Sequence, residues 1–147
     1  MDVEVQVIDS SEKEYVKIGC HKVDERINEI TQFVKSRQGN FLVKKDGEQY
    51  RIPITEVFYV EAVDDRTFVY SETNCYESGK RLYDFEERLE PYHFVRISKS
   101  TLVNLMKIVA IKPALNGRFL CRLKNEEELI ISRKYVPEIK KKLKGEN

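Results

Sequence analysis

The chain has 147 residues, of which 41% are hydrophobic and 35% charged, with no tryptophan and a formal net charge of +1. That length suits one domain, or one domain with a short attached segment, and the apolar share is ordinary for a protein with a core. No apolar run approaches the roughly 18 residues of a membrane span, the acidic start MDVEVQVIDSSEKE is unlike a signal peptide, and Cys20, Cys75 and Cys121 form no CxxC pair, against a zinc site or disulfide framework.

A reduced cytoplasm is therefore the expected compartment. The balanced charge hides an asymmetry. Residues 1–95 carry 13 Lys plus Arg against 20 Asp plus Glu, a net of −7, and residues 96–147 carry 13 against 5, a net of +8. Such a division points to nucleic acid or an anionic membrane as partner, unless the halves interleave in the fold and the charges mix.

In chain order, DVEVQVID alternates Val3, Val5 and Val7 with polar residues, and the turn SSEKE leads to YVKIG, so a β-hairpin is expected. VDERINEITQFVKSRQG changes period. Val23, Ile27, Ile30 and Val34 share one helical face, with Gly39 as a helix stop. In FLVKKDGEQYRIPI the pair Asp46-Gly47 marks a hairpin turn. EVFYVEAV, the polar loop DDRT and FVYSETNCYES continue as β structure.

RLYDFEERLEP returns to a helix, with Leu82, Phe85 and Leu89 inward and Pro91 ending it. KIVAIKPAL and GRFLCRL form strands around Asn116-Gly117, ELIIS adds another, and RKYVPEIKKKLKG ends the chain as a helix. The pattern predicts a mainly-β or α+β fold.

Catalytic and metal signatures are missing. His21 and His93 stand far apart, and GxSxG, HExxH, phosphate-cradling glycine loops and calcium-loop spacing do not occur. No cofactor, metal, catalytic residue or small-molecule substrate is expected. FVRISKSTLVNL, residues 94–105, instead gathers Arg96, Ser98, Lys99, Ser100, Thr101 and Asn104 without one acid. Neutral donors bond phosphates, and a cation on a loop reaches phosphate or a guanine edge. SRKY at 132–135 repeats the theme with Arg133 and Lys134, although Ser132 could simply cap the last helix. Asn104 reads better as a loop fastener than as a base reader. The basic amphipathic tail EIKKKLKG adds unspecific charge.

VFYVEAVDDRTFVYSE, YESGKRLYDFEERL, FVRISKSTLVNLMKIVAI and IISRKYV, in this order and spacing, resemble the LytTR family of bacterial DNA-binding domains over roughly residues 41 to 145. FVRISKSTLVNL is close to the family's Phe-Arg-x-His-x-Ser-x-x-x-Asn pattern, with Ser98 where a histidine is frequent. The resemblance implies an elongated arrangement of small β-sheets with short helices, not a helix-turn-helix, whose loops enter successive major grooves of promoter DNA. The implied contacts are a loop at Arg66 and Thr67, the segment Ser98, Lys99 and Ser100, and Arg133 with Lys134. The match implies residues 41–147 as the DNA-binding domain and leaves 1–40 as an N-terminal hairpin-plus-helix segment, read either as a dimer or inhibitor contact or as a part that merely completes the fold. About 40 residues are too few for a receiver domain, which is similar to the stand-alone branch of response-regulator relatives. That branch implies a homodimer on repeated sites and a small membrane-protein inhibitor as possible partner. Two other readings stay open: a protein-interaction module of the same fold that binds no promoter, and a membrane-surface protein using the basic tail.

Overall fold

Alternating hydrophobic runs set up a central sheet that is buried on both sides. The structure is a computed structural model and describes residues 1–36 and 39–144. Ten strands follow helix α1 (Glu25–Ser36): β1 (Asn40–Lys45), β2 (Glu48–Pro53), β3 (Tyr59–Val63), β4 (Arg66–Tyr70), β5 (Cys75–Ser78), β6 (Phe94–Arg96), β7 (Thr101–Asn104), β8 (Ile108–Pro113), β9 (Phe119–Leu123) and β10 (Glu128–Ile131). Helix α2 (Leu82–Leu89) lies between β5 and β6, and α3 (Val136–Leu143) follows a 3-10 turn at Arg133–Tyr135. The strands form a seven-stranded sheet of order β2-β1-β5-β4-β3-β7-β6 and a three-stranded sheet β10-β9-β8, with every pair antiparallel.

Period-two alternation distributes side chains between two cores. Val60, Val69, Phe94 and Leu102 face α2, where Leu82, Phe85 and Leu89 are buried, all three as the helical spacing predicted. Their neighbours Tyr59, Val95 and Val103 point the other way, toward Cys121, Leu123 and Ile131 of the small sheet and Val136 and Ile139 of α3. The result is three layers: α2, the large sheet, then the small sheet with α3. Within the large sheet Tyr59 stacks on its cross-strand partner Tyr70 with ring centroids 4.2 Å apart, and between the sheets Asn125 Nδ2 donates to the Glu72 carbonyl at 2.9 Å. Asn104 is 3% exposed, donates to the Val57 carbonyl at 2.9 Å and accepts from the Met106 amide at 3.0 Å. It is the fastener expected of it.

Both expected hairpin turns form, because Asp46-Gly47 (φ 50° and 78°) and Asn116-Gly117 (φ 60° and 75°) take the left-handed conformation tight turns require. Asp64-Asp65, with φ 48° and 65°, makes a third. This corrects the expected loop at Arg66 and Thr67. Aspartate tolerates the left-handed region, so the reversal closes in two residues and Arg66 and Thr67 begin β4, opposite Val63 and Ala62.

A second correction concerns the N-terminus. Residues 1–24 contain no strand, although a turn closes where the Glu12 amide donates to the Asp9 carbonyl at 3.0 Å. The expected hairpin does not form, for an alternating strand needs a surface for its apolar side and this chain offers Val3, Val5 and Val7 none: they are 87%, 91% and 94% exposed. Helix α1 does form, capped by Asp24 Oδ1, which accepts from the Ile27 amide at 3.1 Å. Of its expected apolar face Ile27 is buried, Ile30 and Val34 are half-buried and Val23 is exposed. Gly39 lies beyond the helix, with residues 37 and 38 outside the described ones.

Candidate nucleic-acid interface

Two backbone hydrogen bonds join three segments that are distant in sequence. The Ala62 amide donates to the Ser100 carbonyl at 2.8 Å, and the Ser132 amide donates to the Ile97 carbonyl at 2.8 Å. Thus the end of β3 with its turn, the β6–β7 loop and the 3-10 turn after β10 meet at one end of the large sheet.

The β6–β7 loop is braced internally. Its base closes where the Ile97 amide donates to the Thr101 carbonyl at 3.0 Å, and Ser98 Oγ accepts from the Ser100 amide at 3.2 Å. Arg96 bonds Glu86 Oε2 at 2.9 Å through Nε, while its Nη1 donates to the Lys99 carbonyl. Arg96, not itself singled out as a contact in the sequence, is therefore spent on buttressing. Ser98 and Ser100 are half-buried within the turn, and Lys99 stands exposed at its apex. A cation on a braced loop loses less conformational freedom on binding than one on a loose chain.

Arg133 and Lys134 are exposed in the adjoining 3-10 turn. Ser132 does not cap α3 with its side chain; its carbonyl accepts from the Tyr135 amide at 2.9 Å and closes that turn. The Arg133 side chain lies against Gly117, where an added Cβ would come within 2.7 Å of its Cδ. This brings the β8–β9 turn to the same face. The sequence marks Gly117 as a turn residue, but its packing against Arg133 has no sequence signal. Lys134 Nζ sits 5.6 Å from the centre of the Tyr135 ring.

The charge differs along this face. Among the described residues Lys99 and Arg133 take part in no ion pair. Arg66, by contrast, grips Glu77 with two bonds of 2.6 and 2.9 Å, and Asp64 and Asp65 lie beside it in the turn. The hydrogen bond from Arg66 holds the Glu77 carboxyl below the usual carboxylate range. Thr67 is 5% exposed, so it supports the turn from inside and does not present its hydroxyl. Of the expected contact residues, Ser98, Lys99, Ser100, Arg133 and Lys134 come together in the basic part, Arg66 stands at a mixed-charge rim and Thr67 is withdrawn.

An antiparallel β domain with one cationic face made of braced turns is built as a β-type nucleic-acid-binding module. Among the described residues no two α-helices follow one another, so no helix-turn-helix is present. The chain belongs to the LytTr DNA-binding domain family, whose model matches residues 47–144. It is similar to the transcriptional regulatory protein YpdB of Escherichia coli, 36% identical over 97 residues, which are 65% of this chain and 40% of that protein. The chain thus spans about two fifths of that relative. A Staphylococcus aureus protein named an uncharacterized HTH-type transcriptional regulator is 27% identical over 139 residues, covering 92% of this chain and 94% of its own. A LytTr DNA-binding domain from Bacillus cereus superposes with a TM-score of 0.66 at 30% identity, over 72% of this chain and 96% of that domain.

Proposed function

We propose that this chain is a sequence-specific transcriptional regulator that places its β6–β7 loop and its Arg133–Lys134 turn in the major groove of promoter DNA. The observation that carries the reading is the pair of bonds from Ala62 to Ser100 and from Ser132 to Ile97, which hold the donor-rich segments on one face. Lys99 and Arg133 reach base edges, Arg133 with the forked geometry that suits guanine. Ser98, Ser100 and Lys134 bond phosphates. Arg66 joins them by exchanging Glu77 for phosphate, and Lys141 on α3 adds unspecific attraction.

Two subunits occupy repeated sites, and a small membrane protein restrains them; both belong to the proposal and rest on the LytTR resemblance. A cytoplasmic location rests on it too. No helix among the described residues is long and apolar enough to cross a membrane.

The test is fluorescence anisotropy of the purified chain on DNA from upstream of its own gene, against scrambled DNA, across a salt series. Expected is a site-selective complex that weakens steeply with salt, as phosphate contacts release counterions. Equal, weak binding to both DNAs would overturn the reading and favour a protein-interaction module of the same fold.

A further inference from the structure

An open groove runs between the N-terminal segment, α1 and the end of α3, enclosing about 980 Å³. Its floor is apolar. Val23, 71% exposed, lies there with Ile27, Val34 and Leu143, the last on α3 and 38% exposed. Its rim is basic, with Lys35, Lys142 and Lys144, and Glu14 is the one carboxylate lining it among the described residues. Burial above all, with Lys35 and Lys142 adding to it against Glu90, holds the imidazole of His93, also on the groove, below its ordinary range.

The same chain carries an unpartnered segment of opposite character. Residues 2 to 14 contain five carboxylates and one lysine, and the first stretch alternates them with Val3, Val5 and Val7. Those three valines are the most exposed large apolar residues of the protein among the described ones. Residues 2–8 do not line the groove, and no backbone hydrogen bond joins them to residues 13–20, so among the described residues the main-chain groups of neither stretch are paired with the other. In extended form Val3 to Val7 spans about 13 Å, and α1, with 12 residues, is about 18 Å long. One helix can therefore seat all three valines.

We propose that residues Asp2–Asp9 of one copy of this chain occupy the α1 groove of a second copy, reciprocally, giving a two-fold dimer. The valines cover the apolar floor, Asp2 and Glu4 meet the lysines of the rim, and the incoming strand pairs with the edge of residues 13–20. Strand addition to an open edge satisfies main-chain groups that a lone copy leaves to water. The occupant is a second copy because the strand and the groove it fits are carried by one sequence, which makes the contact self-complementary. The interface uses none of the residues assigned to DNA and stands or falls without that reading.

Sedimentation equilibrium of the full chain, without DNA, tests it. The unchanged protein is expected to dimerise. Glu4→Lys alone, and Lys142→Glu with Lys144→Glu alone, should each weaken the dimer by about tenfold or more, the scale of like charges facing each other across an interface. An equimolar mixture of the two variants should dimerise again, because each then supplies the charge that the other's strand or groove lacks. Glu4 and Lys144 are exposed, and unchanged circular dichroism confirms that the variants fold. A monomer at all concentrations, a dimer indifferent to either variant, or a mixture that stays monomeric would overturn the proposal. A monomer whose residues 1–9 resist protease would mean closure within one chain, which also overturns it.

Discussion

The Arg133 side chain rests on Gly117, close enough that a methyl group there would sit 2.7 Å from its Cδ. One residue belongs to the β8–β9 turn and the other to the turn before α3, so the backbone of one shapes the aim of the other. Gly117 also has φ 75°, which costs an L-residue about 1–2 kcal/mol. Gly117→Ala should lower stability by about that amount and weaken DNA binding by displacing Arg133. In a cycle with Arg133→Ala the binding losses should not add, since both remove one contact. Additive losses, measured by anisotropy, would mean that Gly117 acts elsewhere.

Arg133→Ala should weaken binding to the selected site by about 1–3 kcal/mol and relax sequence preference. Lys141→Ala, on the exposed side of α3, should reduce affinity for every sequence alike and flatten the salt dependence. Comparing each variant on matched and scrambled DNA separates the two effects. Equal losses on both DNAs for Arg133→Ala would make it a phosphate contact.

Asn104 joins the Val57 carbonyl to the Met106 amide inside the core. Asn104→Ala leaves both buried groups without that partner and should cost about 1–3 kcal/mol, seen as a lower Tm. Asn104→Asp should be at least as damaging, since an ionised carboxylate cannot donate to the Val57 carbonyl. A variant as stable as the parent would show that water replaces the side chain.

Cys20 and Cys75 are exposed, whereas Cys121 is buried and its thiol is pushed up from 9.0 to about 11. At pH 8 a thiol reagent should label two cysteines in the folded chain and the third only on unfolding. Burial also raises the Tyr70 hydroxyl to about 12. A raised folded-state value means that the native protein binds the proton more tightly, so this stability is complete below pH 9 and falls as pH rises through about 11. Chemical denaturation at pH 8 and 10.5 should show the loss. Rapid labelling of all three thiols at pH 8 would contradict the packing of Cys121.

Local patterns alone determined most elements of the main domain. Leu82, Phe85 and Leu89 at helical spacing, the apolar run through β3, and the pairs Asp46-Gly47 and Asn116-Gly117 each act over a few residues, where steric and hydrophobic periodicity suffice. The family pattern in FVRISKSTLVNL also lies in one stretch, so Ser98, Lys99 and Ser100 were legible as a candidate site. Other outcomes depended on what stood across space. The alternation of Val3, Val5 and Val7 announces a strand but cannot supply its partner, and within one chain no ladder forms. The sequence around Arg66 shows neither Glu77 across the β4–β5 pair nor the burial of Thr67. The tertiary structure alone brought Ser132 to Ile97, Ala62 to Ser100 and Arg133 to Gly117. Sheet pairing and packing between layers join residues tens of positions apart, and no local preference encodes which distant turns will share a face.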